Sequence, residues 1–261
     1  SSPRISLLYD LADNTELRLG WGQYSQAQEV NELQISDGND AFFPAQRAEH
    51  IVLNLKHYFP AGTNVDISFF RKKFRAVRPR YENVFNQLTI VPELQFDRVM
   101  IDADSAVSRG AELLISRGSG GDELFWWLGY AWSKVEDTLP QGKQKRSWDQ
   151  THTIKLGASW RWRTWDFSVA GEGHTGWPRT LITSTHLFDQ RHSVYHALDA
   201  RVSRDIDLQR GNLKLFLEVT NLYDRQNECC TEYSLSADGE LVSRSAHWLP
   251  LVPSLGFVWT F

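Results

Sequence analysis

Cysteine and methionine are almost missing from this chain: two of the first and one of the second, Met100, in 261 residues. The cysteines are neighbours, Cys229 and Cys230, so no disulfide framework can be built from them. Long apolar runs are missing too. No stretch approaches the roughly 20 consecutive apolar residues of a membrane helix, which excludes a helical membrane protein. An excess of positive charge is also lacking. With 28 basic and 32 acidic residues the net charge is −4, which argues against a nucleic-acid surface. No signal peptide is visible, and the opening "SSPRISLLYD" already reads as a strand. The expectation is a fragment whose N-terminal part, with any export signal, is missing.

Aromatic residues are what the chain has in abundance: 13%, including 11 Trp. Soluble domains use Trp sparingly, whereas membrane barrels place aromatic girdles at both interfaces. Mean hydropathy is negative, which a transmembrane barrel permits because its strands alternate apolar and polar residues.

That alternation runs from end to end. It predicts eleven strands, at residues 4–10, 16–25, 49–59, 64–74, 109–116, 123–135, 152–162, 165–174, 195–206, 212–223 and 249–261. The seventh, for example, sets Ile154, Leu156, Ala158, Trp160 and Trp162 against Thr153, Lys155, Ser159 and Arg161. A soluble sandwich would alternate as well, but two further features favour a membrane barrel. Charged residues occupy mid-strand positions on the second face, as a water-filled lumen allows. The connections also alternate strictly between short and long, as periplasmic turns and extracellular loops do. The short ones span 11–15, 60–63, 118–122, 163–164 and 208–211; the long ones span 26–48, 75–108, 136–151, 175–194 and 224–248. An open edge in lipid would leave backbone groups unpaired at several kcal/mol each. Single-chain bacterial barrels normally have an even strand count, so eleven strands need partners outside this chain. The reading is an all-β, antiparallel up-and-down transmembrane β-barrel, with residues 1–261 as its C-terminal part.

Short segments carry a family likeness. "SPRISLLYDLADNTELRLGWGQYSQ" reads as a hairpin whose second strand ends in an aromatic residue and Gln, and "PAQRAEHIVLNLKHYF" as a strand following a long loop. "SRGAELLIS" holds Gly110 and Glu112, and "RSWDQTHTIKLGASWRW" holds Asp149, Gln150 and His152. "HALDARVSRDI" and "LKLFLEVTNLYDRQN" contribute Leu198, Asp199, Arg201, Asn221, Leu222 and Asn227. "LPLVPSLGFVWTF" closes an amphipathic strand on Phe261. Together, in this order and over nearly the whole chain, they resemble the barrel of TonB-dependent receptors. The resemblance implies a full barrel of about 22 strands with a plugged lumen. It also implies an N-terminal plug and a TonB-binding segment, neither in this chain, and Phe261 as a signal to the barrel-assembly machinery. Outer-membrane lipid, the TonB complex through the absent N-terminal region and a small nutrient ligand are the implied partners. No cofactor or metal is implied, and the location is the outer membrane of a Gram-negative bacterium.

Several residues have a functional and a plainer reading. Glu112, Lys155, Arg201 and Glu218 face the expected lumen, either lining a substrate path or meeting the plug and one another. Trp126, Trp132, Trp160, Trp162, Trp165 and Trp259 fall on the lipid face as girdle anchors. Phe42, Phe43, Trp148, Trp177, Tyr233 and Trp248 lie in or beside long loops and are the candidates for binding ligand. Asp149, Gln150 and His152 read as a rim network rather than a catalytic cluster. Cys229 and Cys230 form a vicinal disulfide, pair with a group elsewhere, or stay free. The acidic "SDGND" and "IDADS" hint at calcium without matching an EF-hand loop. "TEYSLSADGELVSR" predicts a hairpin turning at Asp238–Gly239 that projects the last loop outward.

Function follows as uptake of a scarce nutrient such as an iron–siderophore complex, and not as enzymatic activity. The alternatives are a barrel enzyme, a passive porin or a soluble glycan-binding β-protein. An enzyme needs converging groups. Asp166 and His174 lie about 27 Å apart along one strand and cannot hydrogen-bond.

Overall fold

The computed structural model describes residues 2–30, 33, 40–85, 97–118, 121–180 and 190–261. The chain runs through β1 (Arg4–Ala12), β2 (Thr15–Gln26), β3 (Gln46–Tyr58), β4 (Thr63–Arg75), β5 (Arg80–Asn83) and β6 (Arg98–Ile101). There follow β7 (Ser105–Arg117), β8 (Leu124–Leu139), β9 (Gly142–Lys145), β10 (His152–Trp162), β11 (Trp165–His174) and β12 (Pro178–Arg179). The rest are β13 (Gln190–Arg191), β14 (Tyr195–Asp207), β15 (Asn212–Thr220), β16 (Glu228–Leu235), β17 (Leu241–His247) and β18 (Val252–Thr260). Among the described residues no helix is long and apolar enough to cross a membrane.

The eleven strands expected from alternation are the eleven of one antiparallel path, β1-β2-β3-β4-β7-β8-β10-β11-β14-β15-β18, with β9 paired to β8 at its side. Register keeps the two faces distinct across the sheet. Leu19, Leu53, Phe69, Ala111 and Trp132 lie side by side in one row. One residue along, Arg18, Asn54, Ser68, Glu112 and Ala131 form a row on the other face. Further on, Trp160, Phe167, Val202, Leu217 and Leu255 run beside Ser159, Ser168, Arg201, Glu218 and Ser254. A one-residue slip anywhere would exchange the faces.

Among the described residues no second layer covers the apolar face. Apart from a few slight contacts, each strand touches only its hydrogen-bonded neighbours. Leu19, Leu53, Phe69, Trp160, Leu217 and Phe257 are exposed. The buried hydrophobic residues sit in the long connections or at the strand ends beside them: Ile101, Ala103 and Leu139 cluster there, with Val77 and Val99 against them. A water-soluble sandwich would show the reverse. At the short-turn end Trp160 stacks with Trp162 and Phe167 (6.3 and 5.5 Å) and Trp165 with Phe167 (6.3 Å), while Trp259 meets Phe261 at a tilt (5.6 Å). These rings gather at one end of the apolar face.

Five strand bounds differ from expectation by three residues or more: β3 starts at Gln46 rather than 49 and β18 at Val252 rather than 249, and the other three have a local reason. β7 starts at Ser105 and β8 runs to Leu139, because the two keep pairing from Ser105–Thr138 onward beyond the alternating stretch. β15 stops at Thr220, where Asn221 adopts a φ of 51° and turns the chain. Sequence reading also missed β5–β6 and β12–β13, short pairs within long connections. The hairpin expected around Asp238–Gly239 is present as β16–β17, with Gly239 at φ 78° in its turn. "SDGND" lies outside the described residues except for Asp40, and the turn 118–122 is described only in part.

Polar-face glycines are fitted to aromatic neighbours. Gly110 lies opposite Phe70, Gly157 opposite Trp127 and Gly256 opposite Phe216. In each pair the ring lies over the glycine, in the space a Cβ would fill. These are cross-strand contacts of the kind that pin register.

Candidate ligand-binding rim

All the long connections leave the sheet at one end. There β11 closes on His174 and β14 opens on Tyr195, whose rings stack at 4.7 Å. Trp177 follows β11 by three residues and packs at 5.0 Å against His174. Trp148, from the β9–β10 connection, meets Trp177 edge-on at 5.1 Å; Trp248, after β17, meets it at 5.9 Å. Three tryptophans separated in sequence thus share one hub. Trp177 is buried, whereas Trp148 and Trp248 are 51% and 36% exposed. The Trp177 indole N–H has no hydrogen-bond acceptor among the described residues. The half-exposed rings of Trp148 and Trp248 are the faces this hub leaves open.

Of the six loop candidates, the structure brings together Trp148, Trp177 and Trp248. Tyr233 instead packs on Phe85 at 4.6 Å. Phe42 is exposed in the first long connection, and the Phe43 amide donates to Gln28 Oε1 (2.9 Å).

The hub is held from below by buried polar clamps. Asp149 is buried and takes the Arg191 guanidinium on Oδ2. Its Oδ1 accepts from the Val135 amide (3.2 Å) and its Oδ2 from the Thr151 hydroxyl (3.0 Å). Arg191 also donates to the carbonyls of Asp149 and Gly176, both at 2.8 Å, tying two loops together. His152 Nδ1 lies 2.8 Å from the Tyr130 hydroxyl on the next strand, and Thr153 donates to Gln150 Oε1 (3.3 Å). Asp149, Gln150 and His152 thus each bond to different partners along the rim. Asn227 is buried and brackets His196, accepting from its amide (3.1 Å) and donating to its carbonyl (2.9 Å). Asn221 donates to the carbonyls of Arg225 (2.9 Å) and Leu249 (3.1 Å), and Asp199 accepts from its amide (2.8 Å).

A second buried ionic group holds the second long connection. The Asp137 carboxylate is fully buried between Arg80 (2.6 Å) and Arg146 (3.0 Å), and Arg80 also meets Glu82. Ile101 and Ala103 of "IDADS" pack into a cluster with Leu139, while Asp102 and Asp104 are exposed. Among the described residues no three His, Cys, Asp or Glu side chains gather as a metal site. Asp166 and His174 are apart: Asp166 takes Arg161 (2.8 Å) and Lys214 (3.3 Å) at the opposite end of β11.

Beside the last hairpin, His192 and Glu228 approach to 3.8 Å. Burial, then the nearby Arg179, holds His192 below the usual histidine value. The Ser193 amide at 2.9 Å holds Glu228 below the usual carboxylate value.

The polar face carries the four residues assigned to it. Lys155 pairs with Glu172 (3.2 Å) and Arg201 with Glu218 (3.3 Å), each across neighbouring strands. Both pairs are about half exposed, so each contributes about 0–1 kcal/mol. Arg201 also covers the Phe216 ring at 4.1 Å. Glu112 lines a shallow cleft of about 420 Å³ with Asn54, Asp66, Ser68, Trp127 and Lys155.

Comparison with known proteins agrees with this architecture. The profile of the family "TonB dependent receptor-like, beta-barrel" matches residues 1–222. No curated protein sequence matches the chain closely enough to count as a relative. Solved structures do. The pyoverdine outer membrane receptor FpvA from Pseudomonas aeruginosa PAO1, bound to pyoverdine, matches with a TM-score of 0.67 at 14% identity, over 100% of this chain and 36% of its own. The ferric citrate transporter FecA, unliganded, gives 0.65 at 16% over 99% and 38%. The ferric-catecholate import receptor Fiu from K12 E. coli gives 0.64 at 14% over 97% and 34%. At such identities the likeness is one of fold. The chain spans between a third and two fifths of the length of each of these structures.

Proposed function

Because the chain belongs to the TonB-dependent receptor β-barrel family, whose members sit in the outer membrane of Gram-negative bacteria, we propose that residues 1–261 are the C-terminal part of a barrel that takes up a scarce nutrient. An iron–siderophore complex is the cargo class favoured here; the neighbours in fold include receptors for pyoverdine, ferric citrate and ferric catecholates. The observation that carries this reading is the sheet itself. Eleven antiparallel strands have one apolar face without a covering layer among the described residues, one charged face, and every long connection at the same end.

The geometry also bears on completeness. In an antiparallel path of eleven strands the first and last run in the same direction, so β1 and β18 cannot pair antiparallel with each other. Closure needs an odd number of further strands, and eleven more give the even total of a 22-stranded transporter. The charged face then meets a plug, the aromatic rim meets cargo, and TonB acts through the N-terminal region.

Uptake assays test the reading. Cells lacking the gene, starved of iron, should lose energy-dependent import of one member of a panel of radiolabelled ferric siderophores, and loss of TonB should have the same effect. Unsaturable import that survives TonB loss would establish the porin alternative instead.

A further inference from the structure

Adjacent side chains in a regular strand leave on opposite faces, so two neighbouring cysteines should not meet. β16 is not regular at this point. Its register with β17 slips between Glu228, opposite His247, and Cys230, opposite Ala246. Cys229 is the extra residue of a β-bulge, and bulges re-aim side chains. The two sulfurs accordingly lie 2.9 Å apart, as thiols. A bond of about 2.05 Å needs a closure of under about 1 Å.

The surroundings fit a structural role. Cys229 and Cys230 are 7% and 6% exposed, in a buried run with Asn227 and Thr231, while the far end of the hairpin is open to solvent. This run is the footing of the aromatic rim. Asn227 accepts the Trp248 amide through its carbonyl (2.8 Å), and Glu228 accepts from the Ser193 amide (2.9 Å) and the Ser245 hydroxyl (3.0 Å). A metal centre would need further ligands, and none gather among the described residues.

We propose that Cys229 and Cys230 are joined by a vicinal disulfide that fixes the bulge and so anchors the last hairpin beneath Trp248. Each thiol gives up its hydrogen and a sulfur–sulfur bond forms. The two electrons and two protons pass to the disulfide of a periplasmic thiol–disulfide oxidoreductase, which leaves as a dithiol. The exchange belongs to the stage before the loop packs. Once folded, burial and then the Cys229 hydrogen bond push the Cys230 thiol up to about 12, leaving little thiolate to attack a disulfide. The bond does not depend on which cargo the rim takes.

The test uses the full-length receptor taken from outer membranes, acid-quenched, denatured and alkylated without reductant, then digested. The peptide holding both cysteines should carry no alkyl group and be lighter by two hydrogens than the dithiol; prior reduction should let it take two alkyl groups. Alkylation of both thiols without reduction, or a bond from either to a different cysteine, would overturn the proposal. Reduction of the folded receptor should also speed hydrogen exchange at residues 231–235 and 241–247, and unchanged exchange there would remove the anchoring role.

Discussion

Adding one methyl group to two glycines on the same face should move stability in opposite directions. Gly157 lies opposite Trp127, and a Cβ there would sit 2.8 Å from Trp127 Cε2 and closer still to the indole nitrogen. Carbon atoms pack best at about 3.5–4.0 Å, so the ring must retreat by most of an ångström. Overpacking of this kind costs about 1–3 kcal/mol. At Gly129 the nearest atoms, the Lys155 carbonyl oxygen and Trp127 Cζ3, are both 3.8 Å away, which is ordinary contact. Alanine there mainly restricts the unfolded chain and should stabilise by about 0.4–1 kcal/mol. Gly157→Ala and Gly129→Ala should therefore differ by roughly 1.5–4 kcal/mol. Urea unfolding of the full receptor in phospholipid vesicles, followed by tryptophan fluorescence, reads the difference as a shift in midpoint. In a Trp127→Ala background the Gly157→Ala penalty should vanish, because the clashing ring is gone. Equal midpoints for the two single variants, or a penalty that persists without Trp127, would refute the fitted glycine–ring contact.

Other outcomes follow from the rim. Trp148→Ala should weaken cargo binding, measured by fluorescence titration, with little change in unfolding midpoint, since Trp148 is half exposed. Trp177→Ala should lower both, because its ring touches Trp148, Trp248 and His174. Arg191→Met leaves the buried Asp149 carboxylate without its cation and should cost about 3–5 kcal/mol locally. Limited proteolysis in the 175–194 connection should rise, and Asp149→Asn in the same chain should restore part of the protection. His192 and Glu228 both have folded values below their unfolded ones, so each loses stabilisation as pH falls: His192 from near 6.5 downward, Glu228 from near 4.5 downward. Protection factors, which divide out the intrinsic pH dependence of amide exchange, should fall at residues 190–193 between pH 7 and pH 5 and at residues 228–231 below pH 4.5, and higher protection at the lower pH would contradict that sign.

How much of this was readable beforehand depends on distance along the chain. A strand declares itself through neighbours two residues apart, so all eleven, with their apolar faces, could be found from Leu, Trp and Ile set against Lys, Glu and Ser. The β16–β17 hairpin was visible for the same reason, through Asp238–Gly239. The β5–β6 pair was not, since "RYEN" and "RVMI" are four residues each and their pairing bridges a long intervening stretch. Aromatic residues near loops pointed to Trp148, Trp177 and Trp248, but equally to Phe42, Phe43 and Tyr233, because composition does not say which loops converge. The Asp137–Arg80 pair and the glycine–ring contacts depend on register between strands. The cysteine pair was conspicuous, yet only the slip between Glu228 and Cys230 explains how both sulfurs reach one side.

The three short hairpins above the wall each hydrogen-bond within themselves as separate two-stranded sheets, outside the ladder of the eleven-stranded path. Their attachment runs instead through a handful of buried side chains, Asp137 for one, Asp149 with Arg191 for another, Asn227 for the last. On the proposed reading, recognition can diverge without retuning the scaffold: a hairpin transplanted from another member of the family needs to bring its anchor and little else.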